Sequence, residues 1–464
     1  MPSRNKPSMS DKHRVLLRAG GIVLLAVVVT IAVTYENFAL AAVTLILPLA
    51  LMWPAEFALG AFAFLTPLQP LLTITAEGTT LNWFVGAAAG ILLLATGFLS
   101  GRFEAPSLPA YWWAAFMGWS MLTLAWAVTL PKGRVITAIS LFLLYVVIAC
   151  YRISRRELAF IFLMTILGGV VASAYSWFGF VQGLTVDARA TLVSEERAAS
   201  PNFFASSLLL PLSLAVGYFL SGNSRRIKML SLGGVGVLGF TIFLTMSRGA
   251  LVALFALTLV YCFRFRLAPR VLVPALVLGV LILLSPELLF VRIEESVASR
   301  AQGRWDIWKA GLEALKHHWI LGAGLSNFAA VYQQYAGVAS NFQGYLRSPH
   351  NVYLGVWVET GLIGLFTFLG AAWTQLKQLR QLVKAPGELA CAQMVALEAA
   401  LVAVLVHGLA AELLWAKSFW LVMFMAALTT RLQQATAFEQ TPATAVSLGS
   451  APNVQRQSAV TGLP

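Results

Sequence analysis

The sequence predicts an all-α protein that crosses a membrane many times. Hydrophobic residues make up 59% of the 464 and charged residues only 11%, where an ordinary soluble domain carries roughly 25% charged. A soluble fold needs more polar cover than this chain can supply. The apolar residues also gather into runs of about 20, the length that spans the hydrocarbon core as a helix. A mean hydropathy of +0.79 agrees. A soluble enzyme, a secreted disulfide scaffold and a disordered chain are all excluded.

In chain order, the first element is the apolar run 16–34, preceded by Arg4, Lys6, Lys12, Arg14 and Arg18. It is long enough to span and no convincing cleavage site follows, so it reads as an uncleaved first helix with a cytoplasmic N-terminus. Further spans are predicted near 38–54, 57–72, 81–100, 111–129, 135–150, 158–180, 203–220, 229–246, 250–263, 271–290, 352–373, 389–407 and 415–430. That makes 14 transmembrane helices, or 12 if the pair 38–72, broken by Pro48, Pro54 and Pro67, does not fully cross. Parity is the same either way. Assigning alternate loops to the cytoplasm places 20 of the 32 Lys and Arg residues there, and the reverse assignment only 12. The excess of basic residues on cytoplasmic loops therefore puts both termini inside. It also accounts first for the net charge of +13, with no nucleic-acid partner invoked. Cys150, Cys262 and Cys391 all fall near cytoplasmic helix ends, where no disulfide is expected.

Two outer loops are more than turns. The stretch 181–202 is short and polar, and 291–351 is long enough to form a helical domain outside the membrane. The expected organisation is a bundle over 1–290, that outer domain over 291–351, three further spans over 352–431 and a disordered cytoplasmic tail over 432–464. Within the outer domain, Trp305, Trp308, Leu312, Leu315 and Trp319 recur at helical spacing. They form one apolar stripe, suited either to the membrane interface or to packing on neighbouring helices.

Missing residues narrow the chemistry. Asp11, Asp187 and Asp306 are the only aspartates, so there is no Asp-x-Asp cradle for a metal holding a nucleotide-sugar diphosphate. No Walker A string appears, and the five histidines show no zinc-type pairing. No metal or cofactor is expected. Internal repeats are not evident, which weighs against a transporter built on inverted halves.

Positive residues on the translocated side run against the insertion bias and need a reason to be there. Arg248 lies between two predicted helices in TMSRGA, which fixes a guanidinium at the outer interface. Arg197 stands in ERAASPNFFA, with Asn202, just ahead of a helix N-terminus that itself favours anions. Arg189, Arg304 and Arg347 are also outer arginines. Arginine binds phosphate as a rigid bidentate donor, so several of them near the interface suit a lipid-linked diphosphate. A salt bridge or headgroup anchor is the plainer account of any one. His350, in LRSPHNVYL, ends the large loop just before a helix and is placed to act as a general base. His317 and His318 read as surface residues, and His407, with Glu412 close by, as a buried pair of structural weight.

Four strings together resemble a known family: ERAASPNFFA, TMSRGALVAL, GRWDIWKAGLEALKHHWILGAGLSNF and SPHNVYLGVWVETGLIGLF. Their order, spacing and the large loop are similar to those of the O-antigen ligase and polymerase superfamily of bacterial membrane glycosyltransferases. The resemblance implies a bundle like that of other polyprenol-dependent glycosyltransferases (the GT-C class), a helical periplasmic domain and an inner-membrane location with the active site facing the periplasm. It implies undecaprenyl-diphosphate-linked O-polysaccharide as donor and, for the ligases, the lipid A core as acceptor. It assigns His350 to activation of the acceptor hydroxyl, and Arg197 and Arg248 to the donor diphosphate. Arg304 matches a further motif arginine. With Arg347, Arg189 and Asn202 it completes the candidate substrate-binding set.

The expected reaction is an inverting, metal-independent single displacement. One dominant outer loop favours a ligase over a polymerase, which often carries two. An enzyme of the same superfamily that glycosylates protein is a further alternative. From another class, a transporter or flippase of a lipid-linked anionic glycan would use the same arginines without chemistry. Beyond the two lipid substrates and the surrounding membrane lipids, no obligate protein partner is evident.

Overall fold

A computed structural model describes residues 52–72, 80–194, 198–222, 224–266, 293–338, 344–345, 347–384 and 391–440; for 293–302, 384 and 435–440 only the backbone is described. The described residues are helical, with no strand among them. Thirteen α-helices follow in order: α1 (Pro54–Leu65), α2 (Leu81–Ser100), α3 (Leu108–Leu122), α4 (Lys132–Cys150), α5 (Arg155–Val181), α6 (Pro201–Ser221), α7 (Arg225–Leu244), α8 (Arg248–Phe265), α9 (Ile293–His318), α10 (Phe328–Tyr335), α11 (Val352–Lys384), α12 (Cys391–His407) and α13 (Lys417–Gln440). Among them, 7 are long and apolar enough to cross a bilayer, and α1 and α12 are shorter apolar helices. The expected spans 16–34 and 271–290, and nearly all of 38–54, lie outside the described residues, so the count of 12–14 remains an expectation.

Small residues set how closely the bundle packs, as membrane helices require. A Cβ on Gly168 of α5 would sit 2.3 Å from the Phe64 carbonyl oxygen of α1. Helix α6, buried on nearly every side, runs against α12, where the Ser213 hydroxyl donates to the Ala396 carbonyl at 2.6 Å. Trp113 anchors an aromatic cluster with Phe116, Tyr145, Phe368, Phe419 and Trp420.

The helices alternate in direction, so the bundle has two distinct ends. One end gathers cations and satisfies them locally. There Arg264 binds Glu398 with both nitrogens at 2.7 Å and Arg380 joins it at 3.0 Å. At the same end, the Ser154–Glu157 capping box starts α5, and Glu157 accepts from Arg102 at 2.7 Å. The other end receives the loops after α1, α3, α5, α7 and α12, together with α9 and α10.

Several elements depart from the sequence expectation. The span expected over 111–129 stops at Leu122 and tightens into a 3₁₀ turn over Thr123–Trp126. Tertiary contacts take over there: the Thr123 hydroxyl accepts from Leu325 N–H at 3.0 Å, and Asn327 Oδ1 accepts from Thr129 N–H at 2.7 Å. The last helix continues through Gln440, past the expected boundary at 431. The stripe on α9 is split. Ile307, Ala310, Ala314 and Leu315 are buried and Trp308 is partly so, whereas Trp305, Leu312 and Trp319 face outward. Burial follows contact with α10 and α11, which lie one helical step away from the line of largest side chains.

Helix α11 breaks at Gly361, whose φ is 68°. The turn after α9 fits into that break. Leu362 N–H donates to Trp319 O at 2.8 Å, Ala323 N–H to Val358 O at 2.9 Å and Gly324 N–H to Glu359 O at 2.8 Å. The indoles of Trp119 and Trp126 close the clamp by donating to Thr360 O at 2.7 Å and Gly322 O at 3.1 Å. The outer helices are thereby fastened to the bundle.

Candidate functional site

The site is built where the outer helices meet the bundle end. Arg248 is the first residue of α8 and is exposed, and Ser247 caps the helix by accepting from Ala250 N–H at 3.3 Å. Its position is set by the tight α7–α8 corner. The next residue, Gly249, backs onto α12, where an added Cβ would lie 3.4 Å from His407 Cδ2. Arg304 projects from α9 toward the same place and is half-buried. Burial first, and the like charge of Arg248 second, hold its guanidinium below the usual range. It stays a cation nonetheless, because arginine has far to fall before it loses its proton.

His350 sits between loop and helix in a left-handed backbone conformation, with φ 47°. Such a conformation is uncommon for a residue with a Cβ and persists only where the surroundings enforce it. They do so on both sides. Trp308 Nε1–H donates to the Pro349 carbonyl at 2.9 Å, while Asn351 Oδ1 accepts from Tyr353 N–H at 2.9 Å and Leu354 N–H at 3.1 Å. Val352 N–H then donates to Gly408 O at 2.8 Å, which ties the start of α11 to the end of α12. Burial, then the charges of Arg304 and Arg347, push the imidazole below its ordinary range. A neutral ring near pH 7 is the form a general base needs.

Of the other expected residues, Arg347 is exposed and is one of the two cations acting on His350. Arg189 and Asn202 are bonded to each other, Nη2–H to Oδ1 at 2.9 Å, and Arg189 Nε–H also donates to Thr245 O at 2.7 Å. That brings the loop 181–202 to within three residues of Arg248 along the chain. Arg197 lies outside the described residues. Among the described residues, no carboxylate forms an ion pair with Arg248 or Arg304.

His407 is placed differently from the expectation. Glu412 turns instead to Arg134 at 3.2 Å and Trp415 Nε1 at 2.7 Å. His407 is buried beside Gly249 and within electrostatic reach of Arg304, and neither ring nitrogen has a hydrogen-bond partner among the described residues. Sequence reasoning also missed Trp308 as a support of the His350 loop, because residues 41 apart carry no local signal of contact.

These helices make the chain a polytopic membrane protein. Residues 233–369 match the family described as O-Antigen ligase, so over that segment the chain is similar to the O-antigen ligases. The matched segment holds Arg248, Arg304, Arg347 and His350, while Arg189, Arg197 and Asn202 precede it. No curated protein matches the chain.

Proposed function

We propose that this protein is an O-antigen ligase, transferring O-polysaccharide from undecaprenyl diphosphate to the lipid A core at the periplasmic face of the inner membrane. The observation that carries the reading is the pair Arg248 and Arg304, like charges close enough for Arg248 to act on Arg304, with no carboxylate partner among the described residues. Such a pair is stabilised by a ligand of high negative charge, and a diphosphate provides it. The basic residues of the opposite bundle end (among them Arg102, Arg264, Arg380 and Arg431) support placing that end in the cytoplasm.

In the proposed step, an acceptor hydroxyl attacks the anomeric carbon as the bond from that carbon to the diphosphate oxygen breaks. His350 takes the hydroxyl proton, and the diphosphate departs with the electron pair. Arg248 and Arg304 neutralise its charge, and the family resemblance adds Arg197 to them. One displacement inverts the anomeric carbon. A fixed charged donor of this kind is worth on the order of 3 kcal/mol, or roughly a hundredfold in rate. His350→Ala and Arg248→Ala in purified protein, given both lipid substrates, should each lower transfer at least that much. Near-normal transfer by either variant removes that residue from the mechanism. A flippase would instead move the donor across sealed vesicles with no new glycosidic bond.

A further inference from the structure

A cavity of about 350 Å³ opens beside this site. Its wall includes Ser348, two residues before His350, together with Phe203, Arg134, Glu412, Trp415 and Lys417. Neither Arg248 nor Arg304 lines it. The loop carrying His350 therefore borders this cavity through Ser348, while the cation pair lies off its wall. A displacement requires that arrangement, because the base must reach the attacking hydroxyl while the leaving group is held elsewhere.

The lining has a chemistry of its own. Lys417 is only 5% exposed, yet among the described residues its ammonium bonds only to the Thr80 hydroxyl. Arg134 is otherwise engaged: it binds Glu412 at 3.2 Å and Ser326 at 3.4 Å, and lies over the Trp415 ring. Lys417 is thus the cation left for a ligand. A buried ammonium without a counter-charge is costly, and an anion beside it offsets that cost. Both hydrogen bonds to Glu412 fall on Oε1, which leaves Oε2 to accept from a hydroxyl. A buried ammonium, a carboxylate oxygen and an indole together suit a sugar that carries an acidic substituent.

We propose that this cavity holds the acceptor sugar, with Lys417 binding a phosphate or carboxylate on it. The proposal rests on the glycosyl-transfer reading above. The test uses the purified full-length protein, a single donor lipid and one acidic acceptor lipid, compared with the same acceptor after phosphatase treatment and after esterification of its carboxylates. One of these treatments should raise the wild-type acceptor KM about tenfold and so identify the anion. Lys417→Met should raise the KM for the untreated acceptor by a similar factor, after which that treatment should add less than twofold. Lys417→Arg should retain most of the preference, and the donor KM should stay within twofold in both variants, which also reports that the site is folded. The proposal is overturned if neither treatment matters to the wild type, if the losses from treatment and substitution multiply, or if Lys417→Met acts on the donor KM. A wild-type protein that joins the donor to no acceptor sinks the transfer reading itself, a result separable from all of these.

Discussion

Gly361→Ala tests whether the clamp between the outer helices and the bundle holds the site together. The substitution adds one methyl group. With φ at 68° and ψ at −170°, a conformation essentially reserved for glycine, an alanine there costs about 1–3 kcal/mol in backbone conformation alone. The new Cβ would also stand 2.0 Å from Ile320 O and 2.6 Å from Gly322 N, both backbone atoms that no rotamer change can move. The turn must then withdraw. Doing so strains the bonds of Leu362, Ala323 and Gly324 N–H, each worth about 0.5–1.5 kcal/mol. Together these terms come to at least about 2.5 kcal/mol, which makes local opening more favourable by roughly a hundredfold or more. Hydrogen exchange of the amides in 319–327 should accelerate by that order. Transfer should fall with it, because Arg304 is carried on the helix that this turn anchors. Gly236→Ala is the control: nothing lies within 4 Å of its added Cβ, and alanine in a helix should be neutral or better. Unchanged exchange in 319–327 of the Gly361→Ala protein would refute the clamp.

Three further outcomes follow from the site and its frame. Burial and two arginines hold His350 below its ordinary range, so the acidic limb of kcat/KM should lie below pH ~6.5, activity rising as the ring loses its proton. Arg304→Gln or Arg347→Gln should move that limb to higher pH, and a limb that stays put removes His350 as the base. Trp308→Phe deletes the bond to the Pro349 carbonyl while keeping most of the packing, and should lower kcat several-fold with stability down by only about 1 kcal/mol; an unaltered kcat shows that the bond does not position the loop. Glu398→Gln leaves Arg264 and Arg380 without their shared carboxylate at the opposite end of the bundle. It should destabilise the protein by about 2 kcal/mol, discounted for the partial exposure of both arginines, and leave both substrate KM values unchanged. A shifted KM would show that the two ends are coupled.

Much of the frame was legible in the sequence. Helix α2 and the helices from α4 to α8 fall close to the predicted runs, because a bilayer demands long apolar stretches and composition records them directly. Arg248 and His350 could be singled out for a related reason: each stands at a helix start beside a short or polar connection, where the chain itself fixes the position. Their partners could not be found that way. Arg304 reaches the site only because the turn at 319–324 docks into the break at Gly361, and Lys417 acquires a cavity only when Ser348 arrives on the loop before α11 and Phe203 on α6. Gly322, Gly324 and Gly361 of the long motif strings serve this docking rather than the chemistry. Sequence by itself determined the solvent this protein folds in, most of its helices and which cations to single out. Tertiary structure alone decided which of those cations meet, since such contacts depend on backbone approaches between residues far apart in the chain, and local pattern carries no record of them.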